Sequence, residues 1–248
     1  MQRMNVVLRV NKQKMKMRLI SFFLILFFSI SCVEREDDLI SQDCETDCTE
    51  IIGKLMTDNA NTPIANRKVT VIWDNTYFTS GVVRTKATTR TDADGNFNLK
   101  FYIRDDELEE GLHRMYYDKL NETVFLRADL NNISIYPTVR DTIFLRNHNI
   151  PKKAYLKLNL LNLEDIKEGD NFWTSFRYIS PEGYSQSING LVRGWNNQYE
   201  STQLIEIAGN QALALEITRN KDGIITRDND TLFINAGETL DYTIDFNN

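Results

Sequence analysis

From Thr49 onward apolar and polar residues alternate with a period of two, in short runs broken by Gly, Asn and Asp. Alternation of that period puts successive side chains on opposite faces of a strand, so each run predicts a strand with one buried face. A first series falls at 50–56, 68–73, 86–91, 97–103, 123–128 and 140–145. A second falls at 154–163, 172–178, 187–192, 202–208, 212–218, 231–234 and 240–246. Between two of the runs, Asp92-Ala93-Asp94-Gly95-Asn96 predicts a hairpin turn in which Gly95 takes the positive φ that closure needs. Only 105–117 departs from the pattern, and its acidic front and Gly111 predict a short helical turn or a long loop.

Short strands separated by regular turn signals predict an all-β chain of two consecutive β-sandwich domains. The boundary is expected at 146–153, where Asn147-His148-Asn149-Ile150-Pro151 breaks the alternation. Asp141-Thr142-Ile143-Phe144-Leu145 is echoed by Asp230-Thr231-Leu232-Phe233-Ile234, which suggests domains of related build.

The stretch ahead of these strands has another character. A basic, acid-free leader runs into the apolar segment 19–30, which ends at Ser29-Ile30-Ser31-Cys32. Its 12 residues fall short of the roughly 17–25 that a membrane span needs, so it reads as a secretory signal. Small residues just before the cysteine make it resemble a bacterial lipoprotein signal peptide, of the looser Bacteroidetes type because Ser29 stands where Leu is usual. The resemblance implies cleavage after residue 31, acylation of Cys32 (a palmitate-type modification) and an outer-membrane location. An ordinary cleaved signal or an uncleaved anchor are the alternatives. Val33-Glu34-Arg35-Glu36-Asp37-Asp38 follows directly. An acidic cluster in that place resembles the export signal for the cell surface, and it also reads as a solvated, extended tether.

Without residues 1–31, 23 Lys and Arg face 35 Asp and Glu, a formal charge of −12. That surface repels phosphate backbones, so no nucleic-acid partner is expected. Roughly 215 residues remain, a length that suits two domains. If Cys32 carries lipid, Cys44 and Cys48 are the thiols left over, and in an oxidising compartment a C-x3-C pair favours a local disulfide over zinc.

One resemblance covers about 50–145. Ile51-Ile52-Gly53-Lys54-Leu55, then Thr62-Pro63-Ile64-Ala65-Asn66-Arg67-Lys68-Val69-Thr70-Val71, then Thr91-Asp92-Ala93-Asp94-Gly95-Asn96-Phe97 resembles the carboxypeptidase-regulatory-like, transthyretin-like domain. In that family a Gly ends the first strand, a Pro-hydrophobic turn leads into a Val-rich strand, and a Thr-Asp-x-x-Gly-x-Phe hairpin follows. The resemblance implies a prealbumin-like, Ig-like sandwich with no catalytic residues of its own. The chain then divides into a signal peptide (1–31), a lipidated Cys with its acidic tether (32–48), this domain (49–147) and a second sandwich (148–248).

Catalytic chemistry is poorly supplied. His113 and His148 lie in no zinc-peptidase spacing, no G-x-S-x-G elbow occurs, and no catalytic, metal or cofactor site is expected. A triad assembled from distant loops, which would make the chain an envelope enzyme, is the remote alternative. The carboxylates of 92–96 suit calcium as well as a turn, and turn chemistry explains them without a metal. Gly194-Trp195-Asn196-Asn197-Gln198-Tyr199 is the most ligand-like segment: Trp195 and Tyr199 supply aromatic faces, Asn196 and Asn197 amides, the pairing that sugars use. A polar loop anchored by its aromatics would have the same composition, and Trp73 and Trp173 are expected in the core. The functional expectation is a non-catalytic, lipid-anchored envelope module that binds or assembles with a partner. That partner is another envelope protein or, in the alternative of a nutrient-uptake accessory, a glycan.

Overall fold

The computed structural model describes residues 32–78, 80–135 and 139–248; the leader read at 1–31 lies outside them. The first half runs β1 (Cys32–Asp37), α1 (Leu39–Gln42), β2 (Thr49–Thr57), β3 (Thr62–Pro63), β4 (Lys68–Asp74), β5 (Ser80–Arg90), β6 (Asn96–Phe101), α2 (Asp105–Glu109), β7 (Leu112–Tyr117), β8 (Asn132–Ser134), β9 (Ile143–Leu145) and β10 (His148–Asn149). The second half runs β11 (Lys153–Leu161), a 3-10 turn (Leu163–Asp165), β12 (Asn171–Tyr178), β13 (Gly190–Trp195), β14 (Thr202–Ala208), β15 (Ala212–Lys221), β16 (Ile224–Phe233) and β17 (Thr239–Asp245).

The fold is all-β, as the alternation requires, and consists of two sandwiches. In the first, the sheet β1-β5-β4-β7-β8 faces a second sheet centred on β2. Antiparallel β6 and parallel β9 flank the first half of β2, while β3 and β10 flank its end. Inward residues of β2, β4, β6 and β7, among them Ile51, Val69, Val71, Leu99, Phe101 and Met115, fill the space between. In the second, β14-β11-β17 faces β13-β12-β15-β16 over Leu156, Leu158, Phe172, Phe176, Leu215 and Phe246.

Both domains share one device: a central strand, β2 in the first and β11 in the second, has an antiparallel neighbour on one side and a late parallel strand, β9 or β17, on the other. The pentapeptide echo matches the wrong pair. Ile143–Leu145 is the parallel strand β9, whereas 231–233 belongs to antiparallel β16; the counterpart of β9 is β17.

Several expectations need correction. The segment 123–128 is a turn-rich loop rather than a strand, because Leu126 leaves the first domain and packs in the core of the second. Arg127, at φ 51, also breaks the extended path there. Within 105–117 the short helix α2 forms, but Leu112–Tyr117 is a full strand between β4 and β8. Gly53 does not end its strand. It sits inside β2, where a Cβ would fall 2.1 Å from the Arg146 carbonyl oxygen, so its bare backbone admits the incoming chain, whose Arg146 N–H donates to the Ile52 carbonyl at 2.9 Å. Gly95 has the expected role, at φ 77 in the β5–β6 hairpin.

The largest departure is at the amino terminus. Residues 32–37, read as the start of a free tether, are a strand paired in parallel with β5, Cys32 opposite Ser80 and Asp37 opposite Thr85. Asp38, the next residue, is fully buried. Its carboxylate contacts Lys86 Nζ and accepts from Arg104 Nη2 and Ser41 Oγ at 2.6 and 2.7 Å. Fully buried Lys86 also donates to Glu107 Oε1 and Oε2 at 2.8 and 2.6 Å. Burial alone would raise the Asp38 carboxyl, but these hydrogen bonds and the Lys86 charge outweigh it and hold the group at about 2.

The boundary is a hydrogen-bonded seam rather than a bare linker. Ile150 packs in the first core and Ala154 in the second. Asp58 accepts from Lys152 Nζ and Asn210 Nδ2, both at 2.7 Å. Buried Asn149 donates to Gln186 Oε1 at 2.8 Å and accepts from the Ala60 N–H at 3.1 Å.

Candidate functional site

A concavity of about 770 Å³ opens beside the β12–β13 edge and the 166–171 loop of the second domain. Strand register decides what lines it. Phe172 pairs with Trp195 and Trp173 with Gly194, and cross-strand partners share a face. Phe172 and Trp195 therefore point into the core, whereas Trp173 and Gly194 face outward. A Cβ at Gly194 would meet nothing within 4 Å, so the space beside the Trp173 ring is open.

Both tryptophans line the cleft, but their burial is the reverse of that expected. Trp195 is 6% exposed and donates from Nε1 to Thr174 Oγ1 at 3.2 Å, the satisfied donor of a core indole. Trp173, expected in the core, is half-buried and lines the cleft. Tyr199 is 46% exposed and stands edge-on to Trp195, ring centroids 5.6 Å apart. Asn196 and Asn197 are exposed at the rim. Asn196 Oδ1 accepts from the Gln198 N–H at 2.9 Å, and Asn197 Nδ2 donates to the Ile166 carbonyl at 3.4 Å.

Across the cleft, Asp170 shapes the loop. Its carboxylate accepts from the backbone N–H groups of Asp222 and Lys167, at 2.8 and 3.1 Å, and those bonds hold its pKa below the usual carboxylate value. The site offers one indole face, one phenol, two amides and a flanking Lys167–Asp222 pair at 3.4 Å. It can grip a polar, hydroxyl-rich ligand with an apolar face. Position 173 was missed because a Trp inside an alternating strand reads as core; the signal lay in its register opposite a glycine.

The other candidate residues are committed elsewhere. His148 is 3% exposed, with Nδ1 on Ser185 Oγ at 2.9 Å and Nε2 on Ser187 Oγ at 3.0 Å. Burial pushes it down to about 4. His113 lies inside the first domain, 3.9 Å from Glu107 Oε2, and burial together with nearby Lys86 takes it to about 4. The Asp92 carboxylate accepts from the N–H groups of Asp94 and Asn96 at 2.9 and 2.8 Å and from Asn96 Nδ2 at 2.8 Å, which is turn chemistry. No metal-competent cluster of His, Cys, Asp and Glu occurs among the described residues. The sulfur atoms of Cys44 and Cys48 are bonded at 2.08 Å, closing the loop between α1 and β2.

No family model matches the chain, and no curated protein is similar to it in sequence. Among solved structures, it is similar to the shaft pilin SpaA of Lactobacillus rhamnosus GG (D295N mutant) at 8% identity and a TM-score of 0.30, over 80% of this chain and 98% of that one. It is also similar to a streptococcal ancillary pilin at 7% identity and a TM-score of 0.29, over 81% of this chain and 63% of that one. BcpA, the major pilin subunit of Bacillus cereus, matches at 8% identity and a TM-score of 0.28, over 76% of this chain and 69% of that one. Likeness at this level carries no functional argument, and the class is defined by the coordinates alone: an all-β chain of two sandwiches.

Proposed function

We propose that the chain is a non-catalytic, lipid-anchored binding or assembly module of a bacterial envelope, held to the outer membrane by acyl chains on Cys32 and facing outward. The observation that carries this reading is the basic, acid-free leader and short apolar run that end at Cys32, directly ahead of the folded body. The acidic run at 34–38 and the formal charge of −12 fit a surface protein. Buried histidines of low basicity suit structural work better than proton transfer. The resemblance of 50–145 to the carboxypeptidase-regulatory-like module, an accessory domain, adds support. Cys32→Ala should release the protein from the membrane fraction or block its maturation, since stable anchoring takes at least two lipid signals and the acylated cysteine supplies them together. Unchanged partitioning on fractionation would refute the anchor.

A second reading concerns the partner. The Trp173–Tyr199 cleft fits a glycan, as in an accessory lipoprotein of a surface nutrient-uptake system. On a glycan array the protein should bind an oligosaccharide, and Trp173→Ala or Tyr199→Ala should weaken that binding at least about tenfold, the loss of one aromatic platform. Trp195→Ala, by contrast, tests the core. An array without hits, or binding indifferent to both substitutions, removes the glycan reading.

A further inference from the structure

The hairpin joining β4 to β5 exposes two aromatic rings to water. Tyr77 is 75% and Phe78 88% exposed, and their rings stack edge to face with centroids 4.6 Å apart. The hairpin is built to hold them there. Asp74 Oδ1 accepts from the N–H and hydroxyl of Thr76 at 2.9 and 2.6 Å, and the Val82 N–H donates to Asn75 Oδ1 at 2.7 Å. Tyr77 and Ser80 exchange backbone hydrogen bonds at 2.9 and 3.2 Å. Phe78 is held at φ 55, a conformation that bulky side chains rarely adopt. Residues 75–81 carry no charge. An uncharged hairpin that displays two aromatics is a contact surface without its partner.

Strand register shows what lies beside it. Cys32 is opposite Ser80 and Val33 opposite Gly81 in the parallel β1–β5 pair, so the Cys32 backbone runs about 5 Å from the base of the hairpin. The hairpin projects past Ser80 in the direction from which the chain enters β1. With no free spacer after Cys32, acyl chains on that residue would bring this end of the domain against the lipid headgroups. Tyr and Phe on a preformed tip suit that layer, where one side is apolar and the other wet.

We infer that the Tyr77–Phe78 hairpin is a membrane foot that inserts into the headgroup region of the leaflet holding the Cys32 lipid; this rests on the lipid-anchor reading above. The foot and the anchor together fix the orientation of the first domain on the membrane.

The test uses the full chain expressed with its own leader, purified in acylated form and reconstituted into phosphatidylethanolamine–phosphatidylglycerol vesicles. Phe78→Trp should show fluorescence quenching by lipids brominated high on the acyl chain at least threefold stronger than the parent's. The parent's Trp73 and Trp195 are buried, and its Trp173 lies in the second domain. Quenching no greater than the parent's, with full access to aqueous iodide, overturns the foot. The intact mass separates the two failures. An acylated protein without quenching loses only the foot, whereas an unacylated Cys32 ends the anchor reading and the foot with it.

Discussion

Lys86→Met should destabilise the first domain by about 3–5 kcal/mol, the range for removing one partner of a buried ion pair. In a domain of this size that lowers the unfolding midpoint by roughly 10–20 °C. Lys86 is fully buried and joins two elements distant in sequence, Asp38 after β1 and Glu107 on α2. Arg84 extends the network to Glu36, Asp106 and Glu107, and Glu107 Oε2 also accepts from the Arg104 N–H at 2.9 Å. Methionine fills similar volume and supplies no donor, so two buried carboxylates would face each other with Arg84 and Arg104 as their remaining partners. The cost should be concentrated in that repulsion. Adding Glu107→Gln to Lys86→Met should therefore recover part of the loss, and a double-mutant cycle by urea unfolding measures the coupling. A single-mutant loss below about 1 kcal/mol would mean that the network does not hold β1 in place. The same network pins the strand that begins at Cys32, so its loss would loosen β1 from β5.

That network also marks where the sequence stops being legible. Period-two alternation located β2, β4, β6, β11, β12, β14 and β17 nearly to their ends, because each buries one regular face. The strands it missed or shortened lack that contrast. β1 and β16 are edge strands exposed almost throughout, so their charges protect an edge instead of marking a loop. β7 carries His113 inward and Leu112 outward, which inverts the usual code. The 123–128 run looked like a strand because its apolar residues are shared between two cores, Leu126 in the second domain's and Ala128, with Phe125 packed alongside, in the first's. At the cleft, Asn196, Asn197 and Tyr199 were legible as an exposed polar-aromatic loop. The reversed burial of Trp173 and Trp195 was not, since composition is blind to which cross-strand partner is a glycine.

Acid should unfold this protein in two stages. His113 and His148 stay neutral in the fold down to about pH 4, both because burial disfavours the imidazolium, with Lys86 adding to the effect at His113. Unfolded histidines titrate near 6.5, so between about pH 6.5 and 4 the unfolded chain binds more protons than the folded one. Stability is then complete above that window and declines as pH falls through it, by on the order of 3 kcal/mol for each histidine. Asp38 acts lower down. Its folded pKa of about 2, against 3.8, gives stability present above pH 4 and lost as pH falls toward 2. Glu107, 3.9 Å from His113 Nε2, would favour the charged ring, and Lys86 opposes it from the same pocket. His113→Phe should keep the packing against Phe101, whose ring centroid is 5.8 Å away, and remove one histidine's share of the slope. Thermal unfolding followed from pH 7.5 to 2.5 reads both stages. A midpoint flat between pH 7 and 4.5 would show that His113 and His148 charge without opening their pockets, and the assignment of this window to burial would fall.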